Sequence, residues 1–174
     1  AINDAVALPV FLYNVPGRTI VDLMPPTVAA LAALPNVIGI KDASDEMERV
    51  ALHSHLIKPG TQFIQLSGED SSALAHRMMG GAGCISVTAN VLPEPCAQMH
   101  AAFDRGDLDT ARAINQRLVL LHRAMFCSPS PGPAKYALSR MGLCAEDVRL
   151  PITPPDKAAR EQIEAALALA GVNA

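Results

Sequence analysis

The sequence has no tryptophan, and aromatic residues make up only 3% of its 174 positions. So few aromatic rings cannot form the stacking surface on which single-stranded nucleic acids bind. Charge offers no substitute, because the net charge is −3 at pH 7 and the basic residues are scattered along the chain. The composition therefore gives no reason to expect binding to nucleic acid or to a charged membrane surface.

Metal-finger spacing and long apolar runs are also missing. The nearest cysteines in the sequence, Cys84 and Cys96, have no Cys-x-x-Cys spacing, and half of the residues are hydrophobic, which favours reduced thiols in a cytoplasmic protein. The longest apolar stretch, residues 28–34, is too short to cross a bilayer, and no signal segment opens the chain. Residues 1–7 resemble the end of a helix already begun, so we expect a truncated start.

Four short apolar runs predict β-strands, at residues 9–13, 37–40, 62–66 and 84–87. Each lacks strict polar alternation, which is typical of strands buried on both faces. They begin at intervals of about 25 residues, a βα repeat that requires right-handed crossovers and parallel strands. The pattern fits either an open doubly wound sheet or half of a closed barrel, and the truncated start favours the barrel.

Helical patterns separate the strands, and three further helices follow them. We expect side-chain caps at the helix starts from Asp45, from Asp70 or Ser71, from Asp107, and from Thr153 in a capping box. The predicted architecture is (βα)₄ followed by three extra helices.

Lys41 carries the sharpest chemical signal, because it ends the apolar sequence of the second predicted strand. Lysine is rare in buried strands, and the carboxyl ends of parallel strands face the active site in α/β proteins. A lysine partly removed from water there can act as the neutral amine that attacks a carbonyl. The alternative is a solvated lysine paired with Asp42.

Tyr13 and Arg18 occupy equivalent positions at the first predicted strand. The Tyr13 phenol could relay protons, although a core tyrosine is the alternative. Pro16-Gly17 suits the middle of a type II turn, with Gly17 at positive φ, and this turn would present Arg18 to a carboxylate. A solvated loop arginine is the alternative there. After the third strand, backbone groups near Gly68 could contact a ligand or cap a helix.

Together these residues resemble the dihydrodipicolinate synthase/N-acetylneuraminate lyase family. The resemblance is carried by Tyr-Asn-Val-Pro-Gly-Arg-Thr at positions 13–19 and Gly-Ile-Lys-Asp-Ala at positions 39–43. It continues through Ser-Gly-Glu-Asp at 67–70, Gly-Cys-Ile-Ser-Val-Thr-Ala-Asn at 83–90 and Pro-Gly-Pro-Ala-Lys at 131–135. These motifs follow one another in family order over essentially the whole chain.

The resemblance implies a role for each of these residues. Lys41 matches the lysine that forms a Schiff base with pyruvate, and Tyr13 matches the proton-relay tyrosine. Ile85 matches a position whose main chain contacts the bound keto acid, and Arg18 matches the arginine that binds the carboxylate of an aldehyde substrate. Because sialic acid lyases usually lack that arginine, Arg18 favours the lysine-biosynthetic synthase, which condenses pyruvate with aspartate semialdehyde without a metal or organic cofactor.

The resemblance also implies a fold. The chain would supply strands five to eight of a (β/α)₈ TIM barrel in residues 1–106, with residues 107–174 as a helical extension of the same domain. The family is commonly tetrameric, so we expect a homo-oligomer. Because four strands cannot close a barrel, we expect this chain alone to be poorly folded or associated, and inactive.

Two other functions stay open at this point. The first is another pyruvate-dependent aldolase of the same family, acting on a sugar acid. The second is a non-catalytic half-barrel that serves as an assembly or binding module. That module would form no adduct with a keto acid and would tolerate Lys41→Arg.

Overall fold

The computed structural model describes residues 1–172 and shows an α/β protein with one parallel sheet. The four strands lie side by side in chain order, which confirms the predicted class and the parallel arrangement. They are β1 (Val10–Asn14), β2 (Val37–Asp42), β3 (Ile64–Ser67) and β4 (Gly83–Cys84). None of the four cysteines, all of which lie within the described residues, takes part in a disulfide. No helix within residues 1–172 is both long and apolar enough to cross a membrane.

Helices connect the strands and follow the last one. They are α1 (Ile2–Ala5), α2 (Pro16–Thr19), α3 (Pro25–Ala32), α4 (Glu48–Leu56), α5 (Ala73–Met78), α6 (Pro93–Asp104), α7 (Leu108–Ala124), α8 (Gly132–Arg140) and α9 (Lys157–Leu169), with a 3₁₀ turn at Thr88–Asn90. Proline opens α2, α3 and α6, a position where its missing N–H costs no hydrogen bond.

The chain forms two compact units, Ala1–Ser86 and a second that begins at Val87. The first contains the sheet and α1 to α5. The second contains α6 to α9, and its core is formed by fully buried side chains that include Leu118, Leu121, Met125, Ile163 and Leu167. The predicted extension of residues 107–174 ends in residues 173 and 174, which lie outside the described residues.

The register of the sheet divides its side chains into two faces, because neighbouring residues of a strand point to opposite sides. On one face Ile40 and its register partner Gln65 are buried, as are Asn14 and Ser67. Helices of the first unit cover this face.

The other face of the sheet is open. Its apolar side chains Phe11, Tyr13 and Ile64 are between 41% and 49% exposed. The prediction of strands buried on both faces is therefore wrong for this chain. The prediction fails because the helices of the first unit cover one face of the sheet only, although apolar side chains lie on both faces.

The predicted side-chain cap is confirmed for α7 and is wrong for α4, α5 and α9. Asp107 caps α7 by accepting from the N–H of Thr110 (3.1 Å), as expected. The cap of α9 is Asp156, which accepts from Ala159 (2.9 Å), rather than Thr153. The N-cap residues of α4 and α5 are Met47 and Ser72, and neither makes a side-chain capping hydrogen bond.

The expected caps of α4 and α5 have other positions. Asp45 takes φ 62°, a left-handed conformation that aspartate tolerates, and it lies outside α4. The carboxylate of Asp70 accepts a hydrogen bond from the hydroxyl of Ser86, beyond β4. Both aspartates therefore belong to the turns that follow the strands, and neither caps a helix with its side chain.

Candidate active site

The ammonium group of Lys41 lies over the ring of Tyr13, 4.2 Å from the ring centroid. The two residues are register partners on β2 and β1, so both project from the carboxyl ends of adjacent strands onto the open face. The distance is within the range of a cation–π contact, which restrains the amine beside the phenol. Sequence reasoning placed both residues at strand ends, and the structure brings them together.

The alternatives of a core tyrosine at position 13 and of an ion pair between Lys41 and Asp42 do not describe this chain. Tyr13 is 49% exposed and is therefore not a core tyrosine here. Lys41 is half-buried, and within residues 1–172 it forms no ion pair with Asp42. The Asp42 carboxylate accepts instead from the amide of Asn14 (3.2 Å) and from the N–H of Ser44 (2.9 Å). The Lys41 amine is thus left facing the open side of the sheet.

Backbone hydrogen bonds continue across the strand ends beyond the regular sheet. The N–H of Ala43 donates to the carbonyl of Asn14 (2.9 Å), and the N–H of Gly68 donates to the carbonyl of Asp42 (2.7 Å). The N–H of Ile85 in turn donates to Ser67 (2.9 Å). These bonds join the segments that follow the strands to one another at the edge of the sheet around Lys41.

Gly68 and Ile85 border the lysine in different ways. A methyl group at Gly68 would lie 2.7 Å from the Ala43 side chain and 3.1 Å from Lys41 Cε, so this position has no room for a side chain. Ile85 is 45% exposed, and its N–H is already used by Ser67. Its carbonyl oxygen is the main-chain group left to turn towards a ligand.

Arg18 lies in α2, directly after β1, and its side chain is exposed. The predicted type II turn with Gly17 at positive φ is wrong. Pro16 begins a short helix, and the left-handed residue is Ile20 at its end, with φ 60°. Proline at the first helical position satisfies the same φ that a turn requires, so the local sequence fits both structures. The helix still presents Arg18 at the carboxyl end of the sheet.

Sequence reasoning missed a buried polar cluster beneath this loop. Asn14 is 1% exposed, and its amide donates to Asp22 (2.9 Å). Arg49 is 3% exposed and forms two parallel hydrogen bonds to Asp22 at 2.8 and 2.5 Å, with a further bond to Glu46 at 2.9 Å. The signal that could have found it is Arg49 itself, which lies beside Val50 and one turn before His53 on the buried face of α4.

The Asp22–Arg49 ion pair perturbs both of its members. Hydrogen bonds from Arg49 are the main cause that holds the pKa of Asp22 below its usual value, and burial opposes them. The same bonds raise the pKa of Arg49. Both groups are therefore charged at neutral pH, and the pair is a fixed ionic contact.

The histidines do not form a metal site. His53 and His76 are buried in the first unit and His122 is buried in the second. Among residues 1–172, no group of three or more His, Cys, Asp or Glu side chains could hold a metal ion.

The dihydrodipicolinate synthetase family model matches residues 1–170, nearly the whole chain. The chain belongs to this family. The family match covers both units, and it includes the strand ends that carry Tyr13, Lys41, Gly68 and Ile85.

Two relatives of the chain have the same enzyme name. The chain is 70% identical over 173 residues to the 4-hydroxy-tetrahydrodipicolinate synthase of Hyphomonas neptunium, covering 99% of this chain and 59% of the relative. It is 51% identical to the same enzyme of Rhodospirillum centenum over 172 residues, covering 99% and 58%. The chain thus spans less than two thirds of the length of these relatives.

Solved structures of the family have the same fold. The chain matches the chloride-inhibited dihydrodipicolinate synthase of Acinetobacter baumannii in complex with pyruvate, with a TM-score of 0.91 and 41% identity, covering 98% of this chain and 58% of that one. It matches the enzyme of Thermotoga maritima with a TM-score of 0.92 and 34% identity, covering 98% and 58%.

Proposed function

We propose that this chain is the catalytic half of a 4-hydroxy-tetrahydrodipicolinate synthase, which condenses pyruvate with L-aspartate 4-semialdehyde in lysine biosynthesis. The observation that carries the proposal is the Lys41 amine over the Tyr13 ring, at the carboxyl ends of two paired strands. An amine with a phenol beside it, on the open face of a hydrogen-bonded sheet, is the minimum set for Schiff-base chemistry with proton transfer.

The proposed reaction uses the residues as follows. The Lys41 amine, once it has lost its proton, attacks the ketone of pyruvate, and loss of water gives an iminium. Loss of a methyl proton from this adduct gives an enamine, whose carbon adds to the aldehyde of the second substrate. The amine of that substrate then attacks the iminium carbon and releases Lys41. Tyr13 moves the protons, and no metal or organic cofactor takes part.

The substrate-binding roles follow from position. Arg18 is exposed and has a rigid fork of donors that suits the carboxylate of the aldehyde substrate. The carbonyl of Ile85 and the backbone at Gly68 border the lysine and would contact the keto acid.

We also propose how the fold is completed. Residues 1–106 would form strands five to eight of a (β/α)₈ barrel with their helices, and residues 107–174 the helical extension of the same domain. A further segment supplies the first four strands, which cover the open face with Phe11 and Ile64. The complete protein would be a cytoplasmic homo-oligomer, a tetramer by family resemblance, without a nucleic-acid or membrane partner.

Borohydride trapping tests the function. The full-length protein is incubated with pyruvate, reduced with borohydride and digested, and its peptides are analysed by mass spectrometry. We expect a reduced pyruvyl adduct on Lys41, and no adduct in Lys41→Arg. A folded full-length protein without an adduct would refute the proposal and leave the non-catalytic half-barrel as the better description.

An aldolase that acts on a sugar acid would give the same adduct with pyruvate. Arg18 favours the synthase over this alternative, because a sugar-acid substrate does not require a second carboxylate clamp at this position. The two are separated by the aldehyde that the trapped enamine consumes.

A further inference from the structure

The loop that carries Arg18 is closed at its base by Asn14. The side-chain oxygen of Asn14 accepts from the N–H of Leu23 (3.0 Å), and its amide donates to the carboxylate of Asp22 (2.9 Å). The end of β1 is thereby joined to residues 22 and 23. The segment between them, residues 15–21, contains α2 and Arg18 and forms a closed loop.

Arg49 fixes the same base of the loop to α4. Its two terminal nitrogens bond to both carboxylate oxygens of Asp22, and one of them also donates to the carbonyl of Leu23 (3.2 Å). Its Nε donates to Glu46 (2.9 Å). A planar guanidinium that makes parallel bonds fixes orientation as well as distance.

The cluster adds one side-chain contact to the sheet, from the Asn14 amide to Asp42 (3.2 Å), but the sheet also has its own backbone bonds. Strands β1 and β2 are joined by their backbone ladder, which continues to the bond from Ala43 to Asn14. A buried arginine is costly to remove from water, and a cost of this kind is often met where a single geometry has to be specified.

We propose that Asn14, Asp22 and Arg49 form a clamp that positions Arg18 and so sets the affinity for the aldehyde substrate. The identity of the molecule that Arg18 binds, the aldehyde substrate, rests on the proposed function. The three residues are positioning residues, because they act through the loop and not on the reacting atoms. The clamp should therefore affect the second substrate more than Schiff-base formation.

The first test is Asp22→Asn in the full-length protein. Asparagine keeps the size of the side chain, but its amide nitrogen would face one Arg49 nitrogen, donor against donor, so the two-point contact is lost. We expect the KM for aspartate semialdehyde to rise about tenfold with kcat within about threefold of wild type. The amount of pyruvate adduct trapped on Lys41 should be unchanged.

A second readout follows the loop directly. Hydrogen exchange at the N–H of Leu23, which donates to Asn14, should become faster in Asp22→Asn than in wild type. This measurement needs no substrate, so it decides whether the clamp holds the loop even if no pyruvate adduct forms. Failure of the proposed function and failure of the clamp are then distinguishable.

Val50→Ala is the matched control. Val50 is 3% exposed and follows Arg49 on α4, and the side-chain bonds to its carbonyl come from Ser54 and Gln65 rather than from the loop. The control should lower the melting temperature without raising the KM. An equal rise of KM in Val50→Ala, or wild-type KM and Leu23 exchange in Asp22→Asn, would overturn the clamp.

Arg49→Lys provides a second variant in case Asp22→Asn does not fold. Lysine keeps the charge, but a single ammonium cannot contact both Asp22 oxygens in the same plane. It should change the KM and the Leu23 exchange in the same direction. A wild-type value of both would again contradict the proposal.

Discussion

The Lys41 ammonium contacts the face of the Tyr13 ring, 4.2 Å from its centroid, so the ring and the hydroxyl of Tyr13 can be separated by mutation. The ring restrains the amine, whereas the hydroxyl at the ring edge is the group that can carry a proton. Substitutions can therefore remove one contribution and leave the other in place.

Tyr13→Phe keeps the cation–π contact and removes the hydroxyl. We expect pyruvate to be trapped on Lys41 still, but kcat to fall by about 10²- to 10⁴-fold, the usual range for loss of a general acid–base group. Steady-state kinetics with trapping measures both. Tyr136→Phe is the control, since this tyrosine lies in the second unit and donates to Glu164 (2.5 Å). Wild-type turnover in Tyr13→Phe would remove the relay from the mechanism.

Gly68→Ala should impair the lysine through crowding. The added methyl group would press on Ala43 at 2.7 Å and on Lys41 Cε at 3.1 Å, and Ala43 lies on a hydrogen-bonded backbone that cannot easily shift. We expect a loss of adduct formation by about tenfold or more, because small misplacements of a reacting group are costly. Gly17→Ala is the matched control, with no atom within 4 Å of its added methyl group. Equal adduct yields in the two variants would contradict this reading.

Arg18→Ala should separate the synthase from a sugar-acid aldolase. Loss of a two-point carboxylate contact should raise the KM for aspartate semialdehyde by about 10²-fold, while adduct formation with pyruvate stays at the wild-type level. Steady-state kinetics with the two substrates varied in turn measures this. Arg117→Ala, an exposed arginine in α7, controls for loss of surface charge. An unchanged KM in Arg18→Ala would favour the sugar-acid alternative.

Two buried histidines should make stability depend on pH. Burial is the main cause that lowers the pKa of both His53 and His76 from the usual 6.5. Asp42 opposes this for both rings, while Arg49 adds to it for His53, and Arg77 and His53 add to it for His76.

The sign of the effect follows from proton counting. The unfolded chain binds protons on these rings as pH falls through 6.5, whereas the folded chain keeps them neutral to a lower pH. The free energy of unfolding should therefore fall below pH 6.5, by at most about 1.4 kcal/mol per pH unit for each ring. Urea unfolding of the full-length protein between about pH 5 and pH 8 measures the slope.

The double variant His53→Gln/His76→Gln should flatten this slope, and His55→Gln, an exposed position on the helix of His53, serves as its control. An unchanged slope in the double variant would assign the pH dependence to other groups.

The tautomer of neutral His53 follows from its contact with Gln65. The Gln65 amide nitrogen donates to the carbonyl of Val50 (3.1 Å), so the Gln65 side-chain oxygen faces His53. The Nδ1 of His53 is therefore the donor to that oxygen (3.0 Å).

Strand ends were predictable because they depend on local sequence. An apolar run that stops at a lysine or tyrosine shows where a strand ends, and parallel strands bring those ends to one edge. This was enough to make Lys41 a candidate, whereas the catalytic role predicted for Tyr13 depended on the family resemblance. Their direct contact was not predictable, because it depends on the register between β1 and β2, which side-chain patterns leave open.

The clamp was not predictable for a different reason. Asp22 and Arg49 are far apart in the sequence, and neither stands in a recognisable motif. Their contact exists only once α4 packs beside the loop after α2. The helix at Pro16 was missed because the same dipeptide satisfies a turn and a first helical turn, and the choice between them is tertiary.

One row of the sheet has a consequence for what can fit above it. Tyr13, Lys41, Leu66 and Gly83 are successive register partners, so the side chains on this row shrink from an aromatic ring to a hydrogen atom across the four strands. Gly68, where a methyl group has no room, lies two residues after Leu66, directly beyond the end of β3. The side chains on this face of the sheet therefore leave progressively more space from Tyr13 towards β4. A molecule joined to the ε-amino group of Lys41 therefore has more room towards β4 than towards β1.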